Sequence, residues 1–386
     1  MTEPIRLTAA DYDELLTLFN TVFGRNKPNG MDFERELPKM CVRDDEHMGK
    51  HFGVRENGRL VAALGVYPLP AKIGGVPVLF STVGNVATHW DYEGRGCMRA
   101  LMTHAMRELS DLGADASRLG GLRQRYSRWG YELCGAAYRF RLTPRNVSLC
   151  CGDMGDGIVF SPIARGDTDA LSFAARLNDL CGISAVRSTD NGCFDVYASM
   201  TAWRNQPYLA RNAENEPVGY LCVSPDGTSV AEAAGFNKTA LLTAWQKHTG
   251  AAVSFVLQPW ETDAVRYFSA VSEDCTAASP NNFKIINYQK ITDALMKLKA
   301  SYTPLVPGEC LVGIEGYGVL RLYAGQDGAG AETVSAAPCV TLAPLDASRF
   351  LFGPLPPETV ISLPREAAVL SAWLPLPLSW NLQDRV

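Results

Sequence analysis

Apolar residues at helical spacing open the chain and predict an amphipathic helix. The positions that recur every three or four residues are Tyr12, Leu15, Leu16, Phe19 and Phe23. Thr8 and Asp11 precede them with the spacing of a capping box, and Gly24 follows as a helix end. The sequence from 25 to 40 is typical of a loop, with room for a second short helix.

From His51 the apolar positions alternate with a period of two, which predicts β-strands. This run contains the pairs Asn57-Gly58 and Gly74-Gly75, both typical of tight hairpin turns. We therefore expect three consecutive antiparallel strands. A glycine-containing loop and a helix ending near Leu112 follow them.

The remaining pattern predicts further elements in an alternating order. "ADASRLGG" reads as a strand, "LRQRYSRW" as a short helix and "YELCGAAYRFRLT" as one further strand. A unit of ordinary domain size would then be complete at residue 147. The middle of the chain mixes helical and strand patterns, and "FKIINYQKITDALMKLKA" predicts a strand followed by a helix. We expect an α/β (α+β) protein with domains at 1–147, 148–285 and 286–386.

Composition narrows the class of protein. The chain has 386 residues, 47% of them hydrophobic and 20% charged, and a net charge of -5. Such a chain is long enough for several domains and lacks the basic character that nucleic-acid binding needs. Its 11 cysteines include no CxxC pair, so neither a metal site nor a disulfide framework is expected. Because no signal peptide and no apolar run of about 18 residues is present, we predict a soluble, cytoplasmic protein.

One stretch, "VATHWDYEGRGCMRALM" at residues 86–102, carries candidate chemistry. An apolar strand leads through Gly94 and Gly96 directly into a helix. The first N–H groups of a helix are unpaired, and glycines before them let a ligand approach the backbone. Arg95 and Arg99 add positive charge, so a pyrophosphate would fit here. Taken alone, the stretch is equally compatible with an ordinary glycine-containing turn.

The same stretch resembles the GNAT superfamily of acetyl-CoA-dependent N-acetyltransferases. Their pattern, Gln/Arg-x-x-Gly-x-Gly/Ala, lies between a strand and a helix. Here the six positions run from Glu93 to Met98. Gly96 matches the central glycine, whereas Glu93 and Met98 depart from the pattern. Glu93 would repel a pyrophosphate unless its side chain points away.

A narrower resemblance is to the Eis-like subfamily (enhanced intracellular survival protein). Its arginine- and glycine-containing loop is similar to residues 94–99, and its Tyr-x-Arg-Phe-Gly-Tyr run is similar to "YSRWGY" at 126–131. The motifs cover about the first 145 residues. The resemblance implies two GNAT folds, the second degenerate, followed by a small α+β sterol-carrier-like domain. It also implies a homo-oligomer, with a hexamer among the expected assemblies.

The family's chemistry implies roles for individual residues. Acetyl-CoA would be the co-substrate, without a metal, and a primary amine of a small molecule or lysine side chain would attack it directly in a ternary complex. Tyr131 would protonate the departing thiolate, and the terminal carboxylate of Val386 would accept the proton of the amine. The residues expected to bind the coenzyme are Val86, Ala87, Thr88, Glu93, Gly94, Arg95, Gly96, Cys97, Met98, Arg99, Gly121 and Tyr126.

Two alternatives remain open at this point. The base could instead be Asp32, Glu34, Asp384 or solvent. The protein could also be a non-catalytic GNAT scaffold that binds CoA, or an apolar ligand through its C-terminal domain. A fold alone does not decide between these functions, because function depends on the site.

Overall fold

The computed structural model describes residues 3–188, 193–199 and 204–385. Its N-terminal part is a helix followed by a long meander. The elements are β1 (Ile5–Arg6), α1 (Tyr12–Gly24), α2 (Phe33–Glu36), α3 (Asp45–Met48), β2 (His51–Glu56), β3 (Arg59–Ile73) and β4 (Val76–Thr88). The capping box is confirmed, because Asp11 Oδ2 accepts a hydrogen bond from the Thr8 N–H at 2.8 Å. The meander of three antiparallel strands is confirmed as well.

The first sheet continues beyond the meander with a parallel strand pair. The next elements are α4 (Cys97–Asp111), β5 (Ala116–Leu119), α5 (Arg123–Tyr126) and β6 (Glu132–Cys134), to which β9 (Ile183–Ala185) and β15 (Asn281–Ile285) are added from later in the chain. The strand order is β1-β2-β3-β4-β5-β15-β6, and β9 pairs with β3. β4 and β5 run parallel only as far as the pair Val83 and Leu119.

The second sheet repeats much of this arrangement. We call the first sheet with its helices the first unit, and the second sheet with its helices the second unit. Its strands are β7 (Ala137–Leu142), β8 (Val159–Pro162), β10 (Gln206–Arg211), β11 (Pro217–Val223), β12 (Ser229–Gly235), β13 (Val253–Leu257) and β14 (Asp274–Ala278). Its helices are α6 (Pro144–Cys150), α7 (Thr168–Asp179), α8 (Cys193–Ala198), α9 (Lys238–Thr249) and α10 (Thr262–Val271). Here β12 and β13 form the parallel pair and α9 connects them, as α4 connects β4 and β5.

The two sheets exchange strands, which the sequence pattern did not predict. "YELCGAAYRFRLT" is two strands, β6 and β7, that belong to different sheets. Gly135 separates them with φ 84°, and a Cβ at this position would lie 2.7 Å from the Leu378 carbonyl oxygen. β15 later returns to fill the place between β5 and β6. The first sheet thus takes β15 from the predicted range 148–285, and the second sheet takes β7 from the predicted range 1–147, whereas the C-terminal elements do begin after residue 285. The three domains as units remain a prediction.

The C-terminal part adds a small layer of helices and strands. Its elements are α11 (Tyr288–Tyr302), β16 (Gly308–Ile314), β17 (Gly318–Gly325), β18 (Gly328–Val334), β19 (Val340–Leu342), α12 (Pro344–Phe352) and α13 (Leu370–Trp373). The four strands form one sheet in the order β18-β17-β16-β19. Its buried residues share one cluster with Phe80 of β4 and Phe283 of β15. The likeness to a sterol carrier stays a prediction. Within the described ranges, every helix is too short or too polar to cross a membrane.

Candidate coenzyme and acceptor site

Helix α4 begins in a way that leaves its first N–H groups open. Gly96 is its N-cap with φ 85°, and Gly94 has φ 77°. Both values lie in the left-handed region that favours glycine. Among the described residues no side chain caps this helix. The positive end of the helix dipole and its unpaired donors therefore face the surroundings, as an anion site requires.

A cavity of about 440 Å³ lies over this helix end. Of the residues predicted to bind the coenzyme, it brings together Val86, Thr88, Glu93, Gly94, Gly96, Cys97, Met98 and Arg99. The sequence interpretation missed five further residues of its wall: Val22, Tyr92, Arg125, Arg128 and Trp129. The two arginines were visible as a basic cluster in "LRQRYSRW", next to the predicted motif. Together with Arg99 they give the cavity three cationic side chains, which suits a phosphate-bearing ligand.

Four other residues predicted to bind the coenzyme lie outside this wall. The Arg95 guanidinium donates to Glu56 Oε1 at 2.7 Å and to the Asp91 carbonyl oxygen at 3.0 Å. Ala87 is buried. Gly121 has φ 115°, and a Cβ there would lie 3.0 Å from the ring of Tyr126. Arg95 and Ala87 therefore support the loop and the strand, while Gly121 lets Tyr126 pack closely.

Strand β4 carries a bulge beside the cavity. Its register with β3 passes from Gly65–Gly84 to Ala63–Ala87, so that two residues, Asn85 and Val86, stand opposite one. Asn85 has φ 53°. Bulges re-aim side chains and are frequent next to active sites. Because pairing with β5 also ends at Val83, the following residues of β4 are free to receive an extended ligand arm.

Two tyrosines belong to the buried cluster against which Val86, Met98 and Trp129 of the cavity wall pack, but neither lines the cavity itself. Tyr131 is completely buried, and its hydroxyl lies 2.7 Å from Ser117 Oγ. Tyr126, at the end of α5, is also buried, and its ring centroid lies 6.4 Å from that of Trp129. Burial raises the pKa of both phenols, so both stay protonated at neutral pH. The sequence interpretation assigned the acid role to Tyr131 alone.

The C-terminal tail lies between the first and second sheets. Val386, the predicted base, is outside the described residues. The residues before it are held firmly: the Asp384 carbonyl oxygen accepts from Arg118 Nη2 at 3.0 Å, and the Gln383 carbonyl oxygen accepts from Lys39 Nζ at 2.7 Å. Arg187, which follows β9 and also pairs with Glu232 of β12, binds the Asp384 carboxylate at 2.8 Å. The tail is thus anchored at β5 of the first sheet.

A second, smaller cavity of about 170 Å³ adjoins the tail. Its wall consists of Lys39, Met40, His47, Lys50, Tyr67, Pro68, Leu69, Thr82, Val196 and Asp384. Burial lowers the pKa of Lys39 to about 7. The other carboxylates considered as bases already have partners: Asp32 caps α2, and Glu34 accepts from the Tyr12 hydroxyl. This cavity is the candidate acceptor pocket.

The sequence of the first unit identifies its family. Residues 3–134 match the family model described as an acetyltransferase (GNAT) domain. This part of the chain is a GNAT acetyltransferase domain. The matched residues include the open end of α4, the bulge in β4 and both tyrosines. No curated protein matches the chain significantly in sequence.

Solved structures extend the GNAT likeness over the remaining residues. Eis1 from Mycobacterium abscessus is 12% identical, with 98% of each chain covered and a TM-score of 0.66. A GCN5-related N-acetyltransferase from Anabaena variabilis is 14% identical, with 98% of each chain covered and a TM-score of 0.66. A second, from Kribbella flavida, is 18% identical, covering 90% of this chain and 88% of its own, with a TM-score of 0.62. The predicted mixed α/β GNAT fold is confirmed.

Proposed function

We propose that this protein transfers the acetyl group of acetyl-CoA to a primary amine of a small molecule or a lysine side chain. The observation that carries the proposal is the uncapped start of α4 beneath a cavity with three arginines. The pyrophosphate of the coenzyme would bind the N–H groups after Gly96. The pantetheine arm would run along β4, where Val86 and Thr88 line the cavity.

The chemistry needs a base on the acceptor side and an acid on the sulfur side. The neutral amine attacks the thioester carbonyl carbon, the C–N bond forms and the C–S bond breaks. The amine loses a proton, for which we propose the terminal carboxylate of Val386, supported by the anchored residues before it. The thiolate gains a proton, for which we propose Tyr131, with Tyr126 as the rival donor.

A thiol-release assay tests the function. The protein is supplied with acetyl-CoA and a panel of polyamines, aminoglycosides and lysine peptides, and mass spectrometry identifies the acetylated product. We expect thiol release that depends on the amine and a product 42 Da heavier than it, the mass of one acetyl group in place of a proton. Binding of acetyl-CoA without transfer to any amine would support the non-catalytic scaffold instead. Light scattering on the same preparation tests the proposed homo-oligomer.

A further inference from the structure

A chain of hydrogen bonds runs through the interior of the first unit and ends at the bulge in β4. His51 and Tyr67 are both buried. Tyr67 Oη lies 2.9 Å from His51 Nε2, and Asn85 Nδ2 lies 3.0 Å from Tyr67 Oη. At the other end, His51 Nδ1 lies 3.2 Å from the His47 carbonyl oxygen. His51, Tyr67 and Asn85 thus form a relay of hydrogen bonds that connects α3 with the bulge.

The contact between His51 Nδ1 and the His47 carbonyl oxygen fixes the direction of the other two hydrogen bonds. A carbonyl oxygen only accepts, so His51 Nδ1 carries the proton and Nε2 is an acceptor. Burial lowers the pKa of His51 to about 4, which keeps the ring neutral. The Tyr67 hydroxyl must then donate to His51 and can only accept from Asn85. Consequently the Asn85 NH2 group faces Tyr67, and its carbonyl oxygen Oδ1 points away.

The neighbours of Asn85 line both cavities. Asn85 directly precedes Val86, which lines the coenzyme cavity, while Tyr67 lines the candidate acceptor pocket. Tyr67 also packs with residues of α1 and α2, so the relay lies on that face of the sheet. Asn85 is half-buried, and within the described part of the chain its Oδ1 has no hydrogen-bond partner. Asn85 itself lines neither cavity, but its Oδ1 is an acceptor at the bulge, one residue from the wall of the coenzyme cavity and one hydrogen bond from the wall of the acceptor pocket.

We propose that Asn85 Oδ1 accepts a hydrogen bond from the attacking amine and so directs its lone pair at the thioester; this rests on the proposed function. A neutral primary amine has two N–H bonds and one lone pair. One N–H would bind Asn85, the other would lose its proton to the base, and the lone pair would form the C–N bond. Tyr67 and His51 are positioning residues, because they hold the amide in one of its two orientations.

The test removes the amide and keeps the backbone. Asn85→Gly tolerates the positive φ, and Asn215→Gly is the matched control, since Asn215 also has a positive φ (65°) but lies in the second unit. With the amine that the parent acetylates fastest, we expect Asn85→Gly to lower kcat/KM for the amine about tenfold or more, as loss of a transition-state hydrogen bond does. The melting shift caused by acetyl-CoA should be unchanged. Tyr67→Phe should show a smaller loss of the same kind.

The relay has a signature that does not depend on activity. In the parent, ¹⁵N NMR should show His51 protonated on Nδ1, and Tyr67→Phe should shift the Nε2 signal. An unchanged signal, or a kcat/KM for Asn85→Gly within twofold of Asn215→Gly in an active parent, overturns the role of Asn85. If the parent acetylates no amine of the panel, the proposed function fails first and this role falls with it.

Discussion

The two units contain the same strand–helix junction, but the N-terminal ends of the two helices differ. In the first, β4 leads to α4 through Gly96 without a side-chain cap; in the second, β12 leads to α9, where the Asn237 side chain accepts from the Ala240 N–H at 3.0 Å. The second junction also pairs Lys238 with Glu261 at the mouth of its cleft. Its helix end is therefore satisfied by the protein itself, whereas that of α4 is left for a ligand.

The cleft of the second unit is nevertheless larger than that of the first. The cleft beside α9 has a volume of about 680 Å³, compared with about 440 Å³ beside α4. Volume and topology alone would thus favour the second cleft as a coenzyme site. Open backbone donors and arginines favour the first, as does the bulge of β4 close to its junction, since the register shift of β12 lies near the start of that strand. That the second unit is a degenerate copy of the fold remains a proposal, since the chemistry depends on the site and not on the fold.

The largest effect should come from closing the open helix end. We expect Gly96→Asp to abolish acetyl-CoA binding, because a carboxylate would enter the anion site, while Asn237→Asp in the second unit leaves binding unchanged. The measurement is the melting shift with acetyl-CoA, which for the parent corresponds to about 2.7 kcal/mol at a hundredfold excess over Kd. Gly96→Asn, uncharged and tolerant of a positive φ, separates charge from bulk. A full shift in Gly96→Asp would place the coenzyme elsewhere, with the second cleft as the next candidate.

A smaller but still large effect should follow from loss of one hydroxyl. Tyr131→Phe keeps the ring and its packing, so kcat should fall about 10²- to 10⁴-fold while the acetyl-CoA melting shift stays the same. Tyr267→Phe makes the same change beside the second cleft and should leave kcat alone. If Tyr126→Phe shows the loss and Tyr131→Phe stays within about twofold of the parent, the acid is Tyr126.

Variants of the C-terminal tail test whether the anchored chain end contributes to catalysis. Because Arg118 binds the Asp384 carbonyl oxygen and Arg187 binds its carboxylate, the terminal carboxylate has a limited range of positions. We expect a C-terminal tag, or deletion of Val386, to lower kcat at least tenfold with little change in melting temperature, since a base must be positioned to act. An N-terminal tag serves as the control. Full activity of the C-terminally tagged protein would exclude this base.

The smallest effect concerns stability and distinguishes a buried from an exposed histidine. The pKa of His51 is lowered to about 4, so between pH 6.5 and 4 the unfolded chain binds a proton that the folded one does not. Stability from this group is therefore present above pH 6.5 and lost as the pH falls towards 4. Relative to the parent, His51→Gln should lose about 3 kcal/mol less over this range in urea unfolding, with His248→Gln at an exposed position of α9 as the matched control. Parallel pH curves for all three proteins would contradict a neutral His51.

Local patterns predicted the elements of the first unit well. The Thr8 cap, the two hairpins and the start of α4 each depend on residues within a few positions of one another, and the structure confirms them. The same holds for most of the coenzyme wall, which comes from one continuous stretch. Arg125 and Arg128 form a visible basic cluster but were missed, because nothing local indicates that α5 and the turn after it face the end of α4.

Non-local features escaped the sequence interpretation. Gly135 reads as an ordinary glycine in a strand until the Leu378 carbonyl oxygen is placed beside it. The relay to Asn85 joins residues 34 positions apart, and the clamp on Asp384 joins residues 197 apart. Such contacts follow from the order of strands in the sheets, which hydrophobic periodicity does not encode.

Because the two sheets exchange strands, the first sheet can be completed only late in synthesis. β15 lies between β5 and β6 in the first sheet, yet it follows β6 by about 150 residues, which a ribosome adds in about 7–30 s at ~5–20 residues per second. Throughout that interval the nascent first unit has two unpaired inner edges, the kind of surface on which chains associate wrongly. The sheet that carries the coenzyme site is thus begun early in translation but completed late. Ribosome pausing within the second unit should accordingly lower the yield of correctly folded protein more than pausing after residue 285.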